Sequence, residues 1–509
     1  MKLQLNVNLK NTIRFLGLLS IGIVNAQDIT GIVFEDVNAN QIFDAGDKAL
    51  KNVVVTNQLE SVVTNSDGVF TLQLREEHFI SVTKPKGYQF EIDNKNKPKS
   101  YFYYQPNPIK EVLKYPGTNV SNELPKTLYF PMHKVNEDSH RALLVGDPQM
   151  GNDQRLDYFK DGLLPFMAIE DADFRIVLGD IADDYLDILS KELEFSSKMG
   201  QVGYYVFGNH DINYQAKDNR YATSTFKDTY GPEYYSFDYG NFHYIVLNTI
   251  QYDGWNYKKK KRGSYFGGID SEQLTWLKND MKFVAHDKTI VVCTHAPILD
   301  RFTKKDDVET IFNILSKNNK VFAVSGHLHT VKAYDIEEHY HSDIDGLVAG
   351  ATCGSWWLSP KDELDIPYAT STDGTPKGYF VMDVENNQYT YTYKPVNYPE
   401  NFHMRIYTDQ ENVLVNWFIG KKGDKVIGKI KGTNLEIEFT NSVDKDPFML
   451  STISSKKNDD NWTPGVAETE HIWKAKLPSN LEKGSYGLEI EAVNYKGKKF
   501  KGFKIISIE

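Results

Sequence analysis

Five short clusters carry the residue types that could do chemistry in this chain. They are Gly146-Asp147-Pro148-Gln149, Gly179-Asp180 with Asp183 and Asp184, Gly208-Asn209-His210-Asp211, His295-Ala296-Pro297, and Gly326-His327-Leu328-His329. They offer carboxylates, carboxamides and imidazoles, and no thiol. Such donors suit hard or borderline divalent metals and disfavour iron–sulfur or thiolate zinc sites. Taken singly each cluster is weak, because a strand-end Asp is often a helix N-cap and a His-x-His pair is common in extended chain. Five in order, each with its glycine or proline turn, is not a pattern that capping produces.

Each cluster follows a run that reads as a buried strand: 141–145, 174–178, 202–207, 289–294 and 321–325. Helical stretches over 185–199 and 271–283 lie between them. Strands apolar on both faces, alternating with helices, predict a layered α/β domain over 137–396. Ligands of open α/β sheets bind outside the carboxyl ends of the strands, so all five clusters are expected to converge there. The flanks differ. Residues 27–136 show short alternating runs (29–34, 52–56, 69–74) broken by turns such as Ser66-Asp67-Gly68, which predict a β-sandwich. A Pro- and Lys-rich loop is expected over 84–115, with a closing strand at 127–130. Alternation returns after 397 (435–439, 486–491, 503–507), predicting a second β-sandwich over 397–509.

The chain has 509 residues, more than a single core usually organises. Asp plus Glu number 69 against 58 Lys plus Arg, a formal charge of -11, which argues against nucleic-acid partners. The two cysteines, Cys293 and Cys353, cannot build a disulfide framework and read as small buried residues. Residues 1–26 read as a signal peptide: Lys2, Lys10 and Arg14 precede an apolar run over 15–24 and the small-residue site at Ala26. The expected location is therefore outside the cytoplasm, periplasmic or extracellular. No later segment has the uninterrupted apolar length of a membrane helix.

The five motifs resemble those of the calcineurin-like metallophosphoesterase superfamily, over about residues 141 to 335. The resemblance extends to its exported bacterial type, with an N-terminal prealbumin-like and a C-terminal β domain. It implies a multidomain chain with a central four-layer α/β/β/α metallophosphoesterase domain flanked by two β-sandwich domains. It also implies hydrolysis of phosphate mono- or diesters by a dinuclear centre and metal-bound hydroxide. Two divalent ions (Mn, Zn, Mg or Fe) are implied. One takes Asp147, Gln149, Asp180 and His329; the other takes Asp180, Asn209, His295 and His327, with Asp180 shared. His210 is implied as the group beside the leaving oxygen, paired with Asp183. Asp184 and Asp211 are candidates to orient the imidazole ligands. Gln149 departs from the family, which has His at that position. Its neutral carbonyl binds metal more weakly, which leaves open a catalytically impaired binding protein of the same fold. Features of purple acid and phosphoprotein phosphatases are missing around Asp183, Asp184 and Asn209.

Other segments bear on the substrate, expected to be a phosphorylated small molecule, a lipid headgroup or a glycan. The run Lys258-Lys-Lys-Lys-Arg262 is either a solvated loop or an attractor of anionic substrate. Trp356, Trp357 and Tyr379 either pack in the core or line a substrate pocket. In the N-terminal region, Asp36, Asn38, Asn40, Asp44 and Asp47 have the spacing of a calcium loop, with Gln41 in place of the usual Gly. Calcium and an ordinary Asx-turn loop are both compatible with that spacing.

Overall fold

The computed structural model describes residues 27–121, 123–299, 301–318, 320–335, 343–455 and 465–509. The signal-like segment 1–26 lies outside the described residues. Among those described, no helix is long and apolar enough to cross a membrane.

Two sheets form the centre. The first has the strand order Val202–Tyr205, Phe174–Val177, Ser139–Val145, Gly378–Glu385, Gln388–Pro395, with the first three parallel and the last two antiparallel. The second runs Tyr235–Tyr239, Phe242–Val246, Thr289–Thr294, Lys320–Ser325, Asp343–Ala349, Val331–Asp335, with its four inner strands parallel. Strand residues alternate between faces, and here both faces are covered. Leu144, Ile176 and Tyr204 of the first sheet share one core with Tyr244, Val291, Cys293 and Phe322 of the second. The opposite residues of the first sheet, Leu143, Val145, Val177 and Tyr205, pack on helices Asp153–Gly162, Leu189–Ser196 and Ser224–Tyr230. Ile245, Ile290, Val292 and Val321 of the second pack on helices Ser271–Asp280 and Lys305–Leu315. This explains why the parallel strands read as continuous apolar runs: each buried Val or Ile contributes about 1.5–3 kcal/mol, and no strand face is left for water.

Asp28–Glu35, Leu128–Lys134 and their neighbours form one N-terminal sheet, and Val54–Thr56 and His78–Val82 belong to a second. Val33, Val55, Phe70, Ile80 and Phe130 fill the space between them. The expected loop over 84–115 contains two strands, Tyr88–Phe90, paired antiparallel with Leu128–Lys134, and Tyr101–Tyr104, paired antiparallel with His78–Val82. Four consecutive aromatic residues fit a pleated surface well enough to override the surrounding prolines and lysines. The C-terminal strands form two four-stranded sheets whose core holds Trp417, Trp473, Ile490 and Phe500.

Both flanks are docked on the centre by buried polar contacts. Lys84 Nζ, 1% exposed, donates to Glu137 Oε1 and to the carbonyl of Asp238, at 2.7 Å for the latter. Glu137 Oε2 accepts from the backbone N–H of Gly87 and Gly240. On the other side His471 bonds Asn416 Oδ1 at 2.6 Å and Asp373 Oδ2 at 3.2 Å, and Asp373 Oδ2 accepts from the backbone N–H of Val331 at 2.8 Å.

Candidate metal centre

The five clusters all begin where a parallel strand ends, and hydrogen bonds tie them together. Gln149 N donates to the Asp180 carbonyl at 2.9 Å. His327 N donates to both Asp147 carboxylate oxygens, at 3.0 and 2.9 Å. His210 N donates to Asp180 Oδ1 at 2.8 Å. His295 Nε2 lies 3.0 Å from Asn209 Oδ1, 3.1 Å from Asp180 Oδ1 and 3.2 Å from His327 Nδ1. His329 Nε2 is 3.8 Å from Asp147 Oδ1. Asp180, His295 and His327 bring one ligand atom each within 4.8 Å of one another. The side chains of Asp147, Asp180, Asn209, His295, His327 and His329 therefore meet in one place, and Gln149 reaches them through Nε2, which donates to Asp180 Oδ2 at 3.1 Å.

The local backbone is bent to achieve this. Asp147, Gln149, Asp180, His327 and His329 have φ of 41°, 40°, 50°, 76° and 52°. A non-glycine residue in that region costs about 1–3 kcal/mol and persists only where its surroundings enforce it. Glycines make room beside them. A Cβ on Gly208 would sit 2.0 Å from Asp180 N, and one on Gly326 would sit 2.4 Å from Asp147 Oδ2.

The imidazoles are oriented from behind. His295 Nδ1–H donates to the Leu178 carbonyl at 2.8 Å, and His329 Nδ1–H to the Gly354 carbonyl at 2.9 Å. Each bond leaves Nε2 facing the cluster, the arrangement that metal-binding histidines use. The expectation that Asp184 and Asp211 do this is corrected by these contacts. Asp211 accepts instead from the backbone N–H groups of Ala182 and Gly208, at 2.8 and 3.0 Å, and so shapes the turns that carry Asp180 and Asn209.

Charge balance points the same way. Burial, reinforced by Asp180 and opposed by His295, pushes the Asp147 carboxyl up to about 8. Burial works against a charged His295, yet Asp180 and Asp147 outweigh it and lift that imidazole to about 9. Burial and the neighbouring His295 hold His327 down to about 4, and burial holds His329 near the same value. Two buried carboxylates thus demand positive charge, while two imidazoles keep free lone pairs. That donor set fits divalent cations, which reverse the local pKa logic.

His210 sits at the rim in a row of alternating charges. Its Nδ1 is 2.8 Å from Asp184 Oδ1 and 3.4 Å from Asp183 Oδ1. Asp183 is held on its far side by Arg155 at 2.5 Å, and Asp184 by Arg262 at 2.7 Å. The nearer partner of His210 is therefore Asp184, where the resemblance implied Asp183; the Arg155 contact draws Asp183 aside. Burial would depress the imidazole, but Asp184, Asp180 and Asp183 together raise it to about 9. Arg155, on helix Asp153–Gly162, carries no sequence signal of this role.

The aromatic candidates separate. Trp356 is half-buried and stacks on His329, centroids 4.2 Å apart at 19°. Trp357 is core: it packs on Tyr158 and its Nε1–H donates to the Pro148 carbonyl at 2.9 Å, supporting the Asp147 turn from beneath. Tyr379 is core as well, donating to the Phe166 carbonyl at 3.0 Å and Glu170 at 2.9 Å. Both side chains are buried and each polar atom is engaged, the indole by a loop carbonyl and the phenol by the helix layer. In the N-terminal loop, Asp36, Asn38 and Asn40 accept from backbone N–H groups two to five residues on, and Asp47 Oδ2 accepts from Asp44 N at 2.9 Å. Asn38 and Asn40 amides donate to Asp44, so these side chains build Asx-type turns.

The chain belongs to the calcineurin-like phosphoesterases. Residues 140–331 match the family described as calcineurin-like phosphoesterase, 37–115 its N-terminal domain and 347–500 its C-terminal domain. No curated protein matches the sequence. Among solved structures, the purple acid phosphatase PPD1 from yellow lupin (Lupinus luteus) seeds is 11% identical at a TM-score of 0.34, over 73% of this chain and 65% of that one. The 5'-nucleotidase from Candida albicans SC5314 is 13% identical at a TM-score of 0.28, over 51% of this chain and 52% of that one.

Proposed function

We propose that the protein hydrolyses phosphate mono- or diesters with a centre of two divalent ions, in a domain layered α/β/β/α. The convergence of six metal-competent side chains, with Gln149 beside them, from five strand ends carries this reading. Asp147, Gln149, Asp180 and His329 would hold one ion, and Asp180, Asn209, His295 and His327 the other. When bound, such ions supply Lewis-acid stabilisation of phosphoryl oxygens and a water made acidic at neutral pH. His210 does the remaining chemistry. Its Nδ1 is committed to Asp184, which leaves Nε2–H as the proton it can give, and the neighbouring carboxylates raise its proton affinity. It can donate that proton to the leaving oxygen or stabilise the developing anion.

The leader-like residues 1–26 support export, and a mature N-terminus near residue 27 by mass spectrometry would bear this out. The substrate classes we favour are a phosphorylated small molecule, lipid headgroup or glycan. Hydrolysis of p-nitrophenyl phosphate and bis-p-nitrophenyl phosphate by metal-loaded protein tests the activity. Asn209→Ala and His295→Ala should each lose at least about 100-fold in kcat. Full activity of either variant would contradict the ligand assignment.

A further inference from the structure

A hairpin beside the metal centre carries the longest run of consecutive cations in this acidic chain, Lys258 to Arg262. Strands Ile250–Tyr252 and Tyr265–Gly267 pair antiparallel, and the Tyr265 ring lies edge-on to His327 with centroids 6.4 Å apart. Between the strands the chain closes into a compact tip. Asn256 N donates to the Lys261 carbonyl at 2.9 Å, Lys261 N donates back to the Asn256 carbonyl at 3.4 Å, and Asn256 Oδ1 accepts from Lys259 N at 2.9 Å. The neck is fixed as well: Trp255 N donates to the Ala216 carbonyl at 2.8 Å, and Arg262 Nη1 donates to Asp184 Oδ2 at 2.7 Å.

Every residue from 256 to 262 is exposed, so the tip projects into solvent. Among the described residues Lys258, Lys259, Lys260 and Lys261 form no ion pair. Arg262 is spent on Asp184, and Asp253 is the one acid between 250 and 267. The four lysines less that aspartate leave three net positive charges on the hairpin, in a chain of formal charge -11. Tyr257, 55% exposed, opens the turn beside them. Small ligands are held in concave sites, whereas lysines on a projecting turn act as separate point charges. Such a group suits a broad anionic surface, which attracts basic segments within a Debye length. A tyrosine, apolar in its ring and polar at its tip, suits the headgroup layer of that surface.

We propose that this tip docks the protein on an anionic lipid surface, with Lys258 to Lys261 against the headgroups and Tyr257 among them. The bonds that tie the tip reduce the ordering that binding would otherwise cost. The strand that leaves the tip carries Tyr265 against His327, so docking holds the metal centre within one hairpin's length of the headgroups. This role is separate from hydrolysis, and binding alone reads it out.

The test is co-sedimentation of the full chain with vesicles of phosphatidylcholine and phosphatidylglycerol in equal parts, against vesicles of phosphatidylcholine alone. Each lysine near an anionic surface raises affinity about fivefold, so the wild type should prefer the mixed vesicles by at least about 100-fold. The preference should fade in high salt. Lys259→Gln with Lys260→Gln should weaken binding to the mixed vesicles by about 25-fold. Removing two lysines of the C-terminal unit instead, Lys422→Gln with Lys425→Gln, should change it by less than about twofold, which separates the tip from net charge. No preference for the mixed vesicles, an equal loss in both double variants, or capture by heparin beads without vesicle binding would each overturn the inference.

Discussion

His210 illustrates how much of this site is decided residue by residue. An imidazole that would lose its proton near neutrality is kept charged because carboxylates surround it, and His210 and Arg262 beside Asp184 hold that carboxyl below its usual range. Glycines matter at the same scale. Gly326→Ala would drive a methyl group into Asp147 Oδ2, and the turn must shift to relieve it. Metal affinity measured by competition with a chelator should fall by about 10- to 100-fold, with little change in the unfolding transition of the metal-free protein. Gln149 invites the opposite change. Its Nε2 donates to Asp180 Oδ2 at 3.1 Å, so the amide spends a donor where the family uses a lone pair. Gln149→His should tighten zinc relative to magnesium, read as a shifted ion preference in activity. The ligand types were legible in the sequence because glycine and proline turns mark them. The Leu178 and Gly354 carbonyls behind the histidines were not, since a backbone oxygen leaves no trace in residue identity. Asp184 as the nearer partner of His210 was hidden for a related reason: adjacent aspartates differ only in where Arg155 and Arg262 fall in space.

At the scale of elements, the parallel strands were legible because burial on both faces leaves no polar alternation, and the helices because 3.6-residue periodicity survives between them. Tyr101–Tyr104 was missed because its Pro- and Lys-rich flanks outweighed four aromatic residues. One strand carries a device that no periodicity reveals. His243, on Phe242–Val246, is fully enclosed, with Nδ1 2.7 Å from Asp238 Oδ1 and Nε2 2.9 Å from Asp280 Oδ2. Lys288 also bonds Asp238, and Ser236 bonds Asp280 at 2.9 Å. Burial alone would lower this imidazole, but the two carboxylates raise it to about 9. Its folded value exceeds its unfolded value of about 6.5, so the folded state binds the extra proton. The resulting stability is fully present below pH about 6.5 and is lost as pH rises toward 9. Thermal unfolding of the wild type should therefore decline across that window, and His243→Gln should be less stable at pH 6 with a flatter decline. An equal slope in both proteins would contradict the assignment.

At the scale of the whole molecule, buried polar contacts cross the domain junctions, and one hydrophobic core runs from the central sheets into the C-terminal ones. Lys84 reaches from the N-terminal sheets to Glu137, and burial lowers its proton affinity even with that partner in place. Lys84→Ala would leave Glu137 buried and uncompensated, which typically costs about 3–5 kcal/mol. Denaturant unfolding should show that loss, and the double change Lys84→Met with Glu137→Leu should recover much of it. Toward the C-terminal sheets, His471 and Asn416 hold Asp373, which fixes Val331 two residues beyond His329. The C-terminal unit thus braces the loop that carries His329, a link invisible in a sequence where His471 and Asp373 lie 98 positions apart. The broad division into flank, centre and flank was readable from alternating against continuous apolar runs; the junctions were not, because their partners are far apart in the sequence and follow no periodicity. The most direct test of the central claim is a titration of chelated, metal-free protein with Mn²⁺ while p-nitrophenol release from both nitrophenyl esters is followed. Turnover should be absent at the start, rise with added ion and level off at two equivalents per chain. Equal turnover before and after metal, or a metal-replete protein that hydrolyses neither ester, would contradict the account.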